Sequence, residues 1–263
     1  MDLTPAEHPE RVLAEEQLDA LRATPALAIA EIAGRDSLAA VVRAVEQCGF
    51  TTLLPTVVYV GTEYGDLKAP ERAVFALAER LPNLEVLAPL WFSSPKLWAA
   101  LNGRFASVVA ERFGVSSACL ACHLYMHLCR VPLALTLGGV PVIAGERDTH
   151  DGRIKLSQTH ASIDAAIEVL EYAGVELLEP IRDASSDDVE ALVGEQWKRY
   201  GSQTACLLSG NYVGLGGEVA FDGTAHRWYA REFLVHVGTA IIDAWRATPD
   251  PDYEEIVREV LGR

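Results

Sequence analysis

Ala26-Leu27-Ala28-Ile29-Ala30-Glu31-Ile32 is a short apolar run that gives way to Ala33-Gly34-Arg35-Asp36-Ser37. A run of this length, apolar at nearly every position, reads as a strand buried on both faces. Asp36 and Ser37 are residues that start helices. An apolar helical period then follows through Leu38, Val41, Val42 and Val45 to Gly49, a residue that ends them. A buried strand turning through small residues straight into a helix is the opening unit of a parallel sheet.

The same alternation continues outward from this unit. Thr52 to Val60 is a second strand, Ala69 to Leu81 a helix and Leu84 to Phe92 a third strand. Ser94-Pro95 opens another helix, and Leu97 to about Leu128 reads as mostly helical with a break near Gly114. Val140 to Ala144 is a fourth strand, Ser162 to Tyr172 a helix, Val175 to Leu178 a fifth strand, and Asp187-Asp188 starts a helix to about Trp197. A helix over Pro9 to Ala23 precedes this core; a long amphipathic helix over His226 to Ala247 and another segment over Asp252 to Leu261 follow it. The expectation is an α/β fold, a parallel sheet flanked by helices. It has an N-terminal helix over 1–24, a sheet domain over 25–212 and a helical C-terminal extension over 213–263.

The chain has 263 residues, 50% hydrophobic and 22% charged, with Pro and Gly scattered rather than clustered. That composition fits a globular chain with a sizeable core and no low-complexity linker. Met1 to Glu7 has neither a basic nor an apolar signal region, and the uncharged stretch Val131 to Ala144 is too short to span a bilayer. A cytoplasmic protein with no membrane contact is expected. The net charge of -15 disfavours extended contact with tRNA or DNA, so a small molecule or a nucleobase is the expected substrate. The apolar residues Trp228, Phe233, Leu234, Val237, Ile241, Ile242 and Trp245 exceed what one surface stripe needs and predict a homodimer.

Four stretches carry candidate chemistry. The turn Ala33-Gly34-Arg35-Asp36-Ser37 offers backbone N–H groups and the positive end of a helix dipole to a pyrophosphate. There Arg35 adds charge, Ser37 a hydroxyl, and Asp36 a carboxylate that fixes the loop or reaches Mg²⁺. Cys119-Leu120-Ala121-Cys122 with the distant Cys206 suits a soft metal or cluster, or zinc completed by His123 or His127, or three reduced core thiols. Five cysteines without a secretion signal argue against a disulfide framework, and Cys48 and Cys129 read as core. The charged stretch from Gly145 to Lys155 lies past a strand end; Arg147, Arg153 and Lys155 there would hold an anion, or simply be solvated. In and after it, His150 and His160 are candidates for acid–base or metal roles. Finally, Ser209 to Gly217 is either a lid or a turn into the C-terminal helices.

The turn at Gly34 to Ser37 resembles the SGGxDS signature of PP-loop ATP pyrophosphatases, with Arg35 in the position of a basic residue; Ile32 and Ala33 stand where that family has Ser and Gly. The order of turn, CxxC, Ala144-Gly145-Glu146-Arg147-Asp148, Glu179-Pro180-Ile181-Arg182-Asp183 and Cys206 resembles the tRNA 2-thiocytidine synthetase group over about residues 25 to 212. Ser209 replaces a further cysteine of that group, and Gly145-Glu146-Arg147 its Gly-His-His. The resemblance implies an adenine nucleotide alpha-hydrolase-like fold, with ATP and Mg²⁺ at Ala33, Gly34, Arg35, Asp36, Ser37, Gly145, Arg147 and Lys155. Asp36 and Arg35 would be catalytic, and Cys119, Cys122 and Cys206 would hold a 4Fe-4S cluster, with Zn²⁺ as the alternative. The implied chemistry is adenylation of a substrate oxygen followed by displacement of AMP by sulfide from a sulfur donor. An amide- or nitrile-forming ligase, a desulfurase and a non-catalytic nucleotide-binding module remain as rivals.

Overall fold

Leu27–Glu31 forms the first strand, β1, and every residue in it is buried. The computed structural model describes residues 9–115, 117–148, 150, 152–200 and 203–262. The other strands are β2 (Thr52–Val58), β3 (Glu63–Tyr64), β4 (Glu85–Val86), β5 (Leu90–Phe92), β6 (Val142–Ile143), β7 (Leu177–Leu178) and β8 (Ala205–Cys206). The main sheet is parallel in the order β4-β2-β1-β6-β7, with β5 also on β2.

Helices cover both faces, as a strand without an exposed side requires. They are α1 (Glu15–Arg22), α2 (Arg35–Cys48), α3 (Ala69–Arg80), α4 (Pro95–Trp98), α5 (Ala106–Phe113), α6 (Cys122–Leu128), α7 (Val131–Thr136), α8 (His160–Ala173), α9 (Ser186–Tyr200), α10 (Gly223–Tyr229), α11 (His236–Ala247) and α12 (Tyr253–Gly262). Ala28 and Ala30 face the core shared with α2, α3 and α9. Leu27 and Ile29 face the other, which contains α6, α7, α8 and the C-terminal helices. The strand's period of two therefore feeds two separate cores.

The expected α/β class holds, with local corrections. The third strand is two, because Pro89 between them lacks the N–H that would continue the ladder. The break expected near Gly114 is present: Gly114 takes the left-handed conformation at φ 69°, and the next helix begins at Cys122. Val131–Thr136, inside the uncharged stretch, is a helix with Pro132 in its first turn. The C-terminal helix starts at Gly223, capped by the Asp222 carboxylate on the N–H groups of Thr224 and Ala225. Its continuation buries Phe233, Leu234, Val237, Ile241 and Ile242 within the chain, largely against α8. That removes the surplus apolar face from which a homodimer was expected; of the seven residues, Trp228 stays exposed. Among the described residues, no helix is long and apolar enough to cross a membrane.

Candidate functional site

Successive strands run from β1 outward through β2 to β4, and then resume on the opposite side of β1 with β6 and β7. The reversal leaves a crevice between the carboxyl ends of β1 and β6, where open parallel sheets take their ligands. The two exits meet there. A Cβ on Gly145, after β6, would lie 2.6 Å from the Cα and N of Ser37 and 2.7 Å from the carbonyl carbon of Asp36. Glycine is what lets the β6 exit lie directly on the first turn of α2. Ser37 is turned inward: its Oγ accepts from the N–H groups of Ala33 (3.0 Å) and Gly34 (3.1 Å) and donates to the Gly34 carbonyl (2.8 Å). Its hydroxyl shapes the turn from within. The N–H groups of the first turn of α2, which have no intrahelical acceptor, carry the helix dipole toward the crevice.

Charge gathers around this turn. Asp36 takes Arg35 Nε on one carboxylate oxygen (3.2 Å) and Arg147 Nε on the other (3.1 Å), and Arg147 also donates to the Ala184 carbonyl. Asp36 thus clamps the β1 and β6 exits together. Burial lowers the Lys155 ammonium; Asp36 opposes this, while Arg147, Arg153 and Arg35 add to it. Burial, Lys155 and Arg147 together push His150 down to about 4, so that it stays neutral at physiological pH. Four cations face one carboxylate here, in a chain whose net charge is -15. Such a local positive field favours a polyanion. Thr149 and Asp151 of the same loop lie outside the described residues, as does Met1 to Glu7.

The cysteine segments reach the same place by another route. Antiparallel pairing of β3 with β8 sets Glu63 opposite Cys206, and the Thr62 hydroxyl lies 3.1 Å from the Cys206 sulfur. The Cys119 thiol donates to the Leu208 carbonyl (3.3 Å), tying the CxxC segment to that strand. Burial raises the Cys119 thiol and pushes Cys122 up to about 12, with the neighbouring thiols adding to both. Cys129 is buried in the core, as expected, whereas Cys48 is exposed because it ends α2 on the solvent side.

Beneath the crevice lies a buried acid–histidine cluster. Tyr125 pins α6 there: its hydroxyl accepts from Ser94 N–H (2.9 Å) and donates to the Tyr59 carbonyl (2.8 Å). Glu146 Oε1 is 2.6 Å from His123 Nδ1 and 3.0 Å from His127 Nε2. Arg130 donates to Thr56 Oγ1 (2.8 Å) and pairs with Glu31 at 3.0 Å, and the Glu146 N–H donates to Glu179 (3.2 Å). Burial works against the charge on Glu146, but His127 and His123 outweigh it and hold the carboxyl well below its usual range. Burial and the neighbouring Glu146 push the Glu179 carboxyl well above the usual carboxylate range.

Turn, cations, thiols and part of the buried cluster line one cavity of about 1050 Å³. Its position and lining make it the candidate site of the molecule. No family model matches the chain. Over 221 residues it is 34% identical to the uncharacterized protein MJ0009 of Methanocaldococcus jannaschii, an alignment covering 82% of this chain and 79% of that protein. The chain belongs to the family of MJ0009.

Of the sequence candidates in this MJ0009 relative, Ala33, Gly34, Arg35, Asp36, Ser37, Gly145, Arg147, Lys155, Cys119, Cys122 and Cys206 all line the cavity. His160 does not: it is exposed at the start of α8, 2.8 Å from Asp148. Ser209 to Gly217 forms a turn closed by the Val213–Val219 bridge, with Ser209, Gly210 and Tyr212 on the cavity wall. The joint cluster of Glu31, His123, His127, Arg130, Glu146 and Glu179 was not anticipated. Its signals were two histidines four apart on a helix and an isolated glutamate inside an apolar strand.

Proposed function

We propose that the cavity binds ATP as its Mg²⁺ complex and that the chain is an ATP-dependent, AMP- and pyrophosphate-forming enzyme that transfers sulfur to a small molecule or nucleobase. The observation that carries this reading is the joint lining of one cavity by a four-cation phosphate seat and three thiols. The residues suit a polyphosphate: the first turn of α2 directs its N–H groups at the crevice, and Arg35, Arg153 and Lys155 add positive charge. Gly145 allows the close approach of the two backbones, and Asp36 holds Arg35 and Arg147 in place. Bound there, ATP supplies an adenylyl group to a substrate oxygen; Arg35 and Lys155 neutralise the charge that develops on the departing pyrophosphate.

Three thiols on one cavity wall suit a multi-iron cluster, which binds each sulfur on a different iron. A 4Fe-4S cluster on Cys119, Cys122 and Cys206 would supply an iron free to hold the sulfide of a sulfur donor. None of the five cysteines forms a disulfide, in keeping with a reducing cytoplasm. Calorimetric titration with MgATP tests the seat. Arg35→Ala and Lys155→Ala should each weaken binding about tenfold or more, since a charged contact contributes about 1.5–3 kcal/mol. Unchanged affinity in both would refute the nucleotide reading, and anaerobic protein without iron and sulfide would refute the cluster.

A further inference from the structure

His123 and His127 leave the same face of α6, four residues apart, and both meet the loop that follows β6. His123 Nδ1 and His127 Nε2 converge on the same Glu146 oxygen at 2.6 Å and 3.0 Å, and the three ligand atoms lie within 4.8 Å of one another. Ligands of one ion at about 2.0–2.2 Å stand roughly 3.0–3.5 Å apart, so small side-chain rotations would open the present contacts to that spacing.

A second observation points to a cation. Glu146 Oε2 and Glu179 Oε1 are buried and reach no hydrogen-bond donor, and Glu146 is 2% exposed. Two buried carboxyl groups in that position need either a shared proton or a cation between them and their neighbours. The surroundings also match those of a metal centre, where a ligating histidine turns its other nitrogen to a carboxylate. His127 Nδ1 faces Glu31 at 3.6 Å, Glu31 is held by Arg130, and the Glu146 backbone is held by Glu179.

We propose that His123, His127 and Glu146 bind one divalent transition-metal ion, of which zinc is the reference case, with its open coordination positions facing the cavity. Two imidazoles and a carboxylate are a donor set that suits zinc and iron(II) and leaves positions for water or substrate. His123 and Glu146 line the cavity while His127 lies beneath it, 1% exposed, so the ion's free side is the cavity side. The site uses none of the phosphate-seat cations and none of the three thiols, so it stands or falls apart from the nucleotide reading.

The test is a Co²⁺ titration of the chelator-stripped full chain, read by visible absorption. The expected result is one Co²⁺ per chain with nitrogen and oxygen ligation, displaced by Zn²⁺ and without a thiolate-to-cobalt charge-transfer band. The Cys119→Ser, Cys122→Ser, Cys206→Ser triple variant should bind in the same way. His123→Ala should weaken binding at least about tenfold. The proposal is overturned if the wild type binds no stoichiometric metal, if a thiolate band appears and vanishes in the triple variant, or if a folded His123→Ala keeps full affinity. The first two titrations decide even if His123→Ala fails to fold.

Discussion

Gly145→Ala places a methyl group where the structure has no room for one. Its Cβ would lie 2.6 Å from Ser37 backbone atoms, and ordinary contact begins at 3.4 Å, so the two backbones must part by about 0.8 Å. Overpacking of this kind costs about 1–3 kcal/mol, or about 2–4 °C of Tm per kcal/mol in a chain approaching this size. The same displacement would stretch a hydrogen bond of about 2.9 Å from the first turn of α2 to a phosphate beyond useful length. MgATP affinity should therefore fall at least about tenfold, measured by calorimetry beside a thermal melt. Gly34→Ala is the control: its φ of 174° is ordinary extended backbone, and its Cβ would meet the Gln203 side chain at 3.0 Å, which can swing away. Its Tm should stay close to wild type. Gly145→Ala with unchanged Tm and unchanged affinity would refute the packing argument. Lowered Tm with unchanged affinity would keep the packing and refute the phosphate seat.

Two further substitutions probe buried groups. Arg130→Met should destabilise the fold by about 3–5 kcal/mol in denaturant titration, because it leaves Glu31 buried beside His127 without its guanidinium; a loss under about 1 kcal/mol would show that Glu31 is compensated elsewhere. Burial lowers the His226 pKa, with its Nε2 2.9 Å from Ser162 Oγ, so the folded state binds its proton less readily than the unfolded chain does. The stability it contributes is present above the unfolded value of about 6.5 and is lost as pH falls below it, toward the folded pKa. Between about pH 7.5 and 5.5 the wild type should lose more Tm than His226→Gln; equal losses would remove His226 as a source of acid sensitivity.

The parts of this molecule that were legible in the sequence are those written locally. Strand, turn and helix from Leu27 to Cys48 lie in one continuous stretch, and the residue types that form them also form the candidate phosphate seat. The break at Pro89 was local too, yet the apolar period ran across it and masked the missing N–H. Cys48 was misplaced because which face of α2 reaches solvent depends on α3 and α9, not on α2 alone. The C-terminal helix looked like a dimer face because its amphipathic pattern states that it needs a partner, not which one; α8 of the same chain provides the cover.

Other pieces were visible as residue types but could not be joined without the fold. Cys206 is placed by the two-residue ladder of β3 with β8, too short to carry a strand signal, and the CxxC segment meets the residues after it through the Cys119 thiol on the Leu208 carbonyl. The acid–histidine cluster draws on the end of β1, on α6 and on the residues after β6 and β7, four segments that periodicity treats independently. What joins them is the sheet order. Because β6 lies beside β1 and β7 beside β6, the carboxyl ends that carry Glu31, Glu146 and Glu179 come out side by side, and α6 delivers His123, His127 and, just past its end, Arg130 to them. A glutamate at each of three neighbouring strand exits is costly to bury as a set; Arg130 pairs with Glu31, the histidines meet Glu146, and Glu179 is pushed toward its neutral form. The same topology that brings the cation-lined turn to the β1–β6 crevice therefore also gathers buried carboxyl groups beneath it, and that is the physical ground of the proposed cation site.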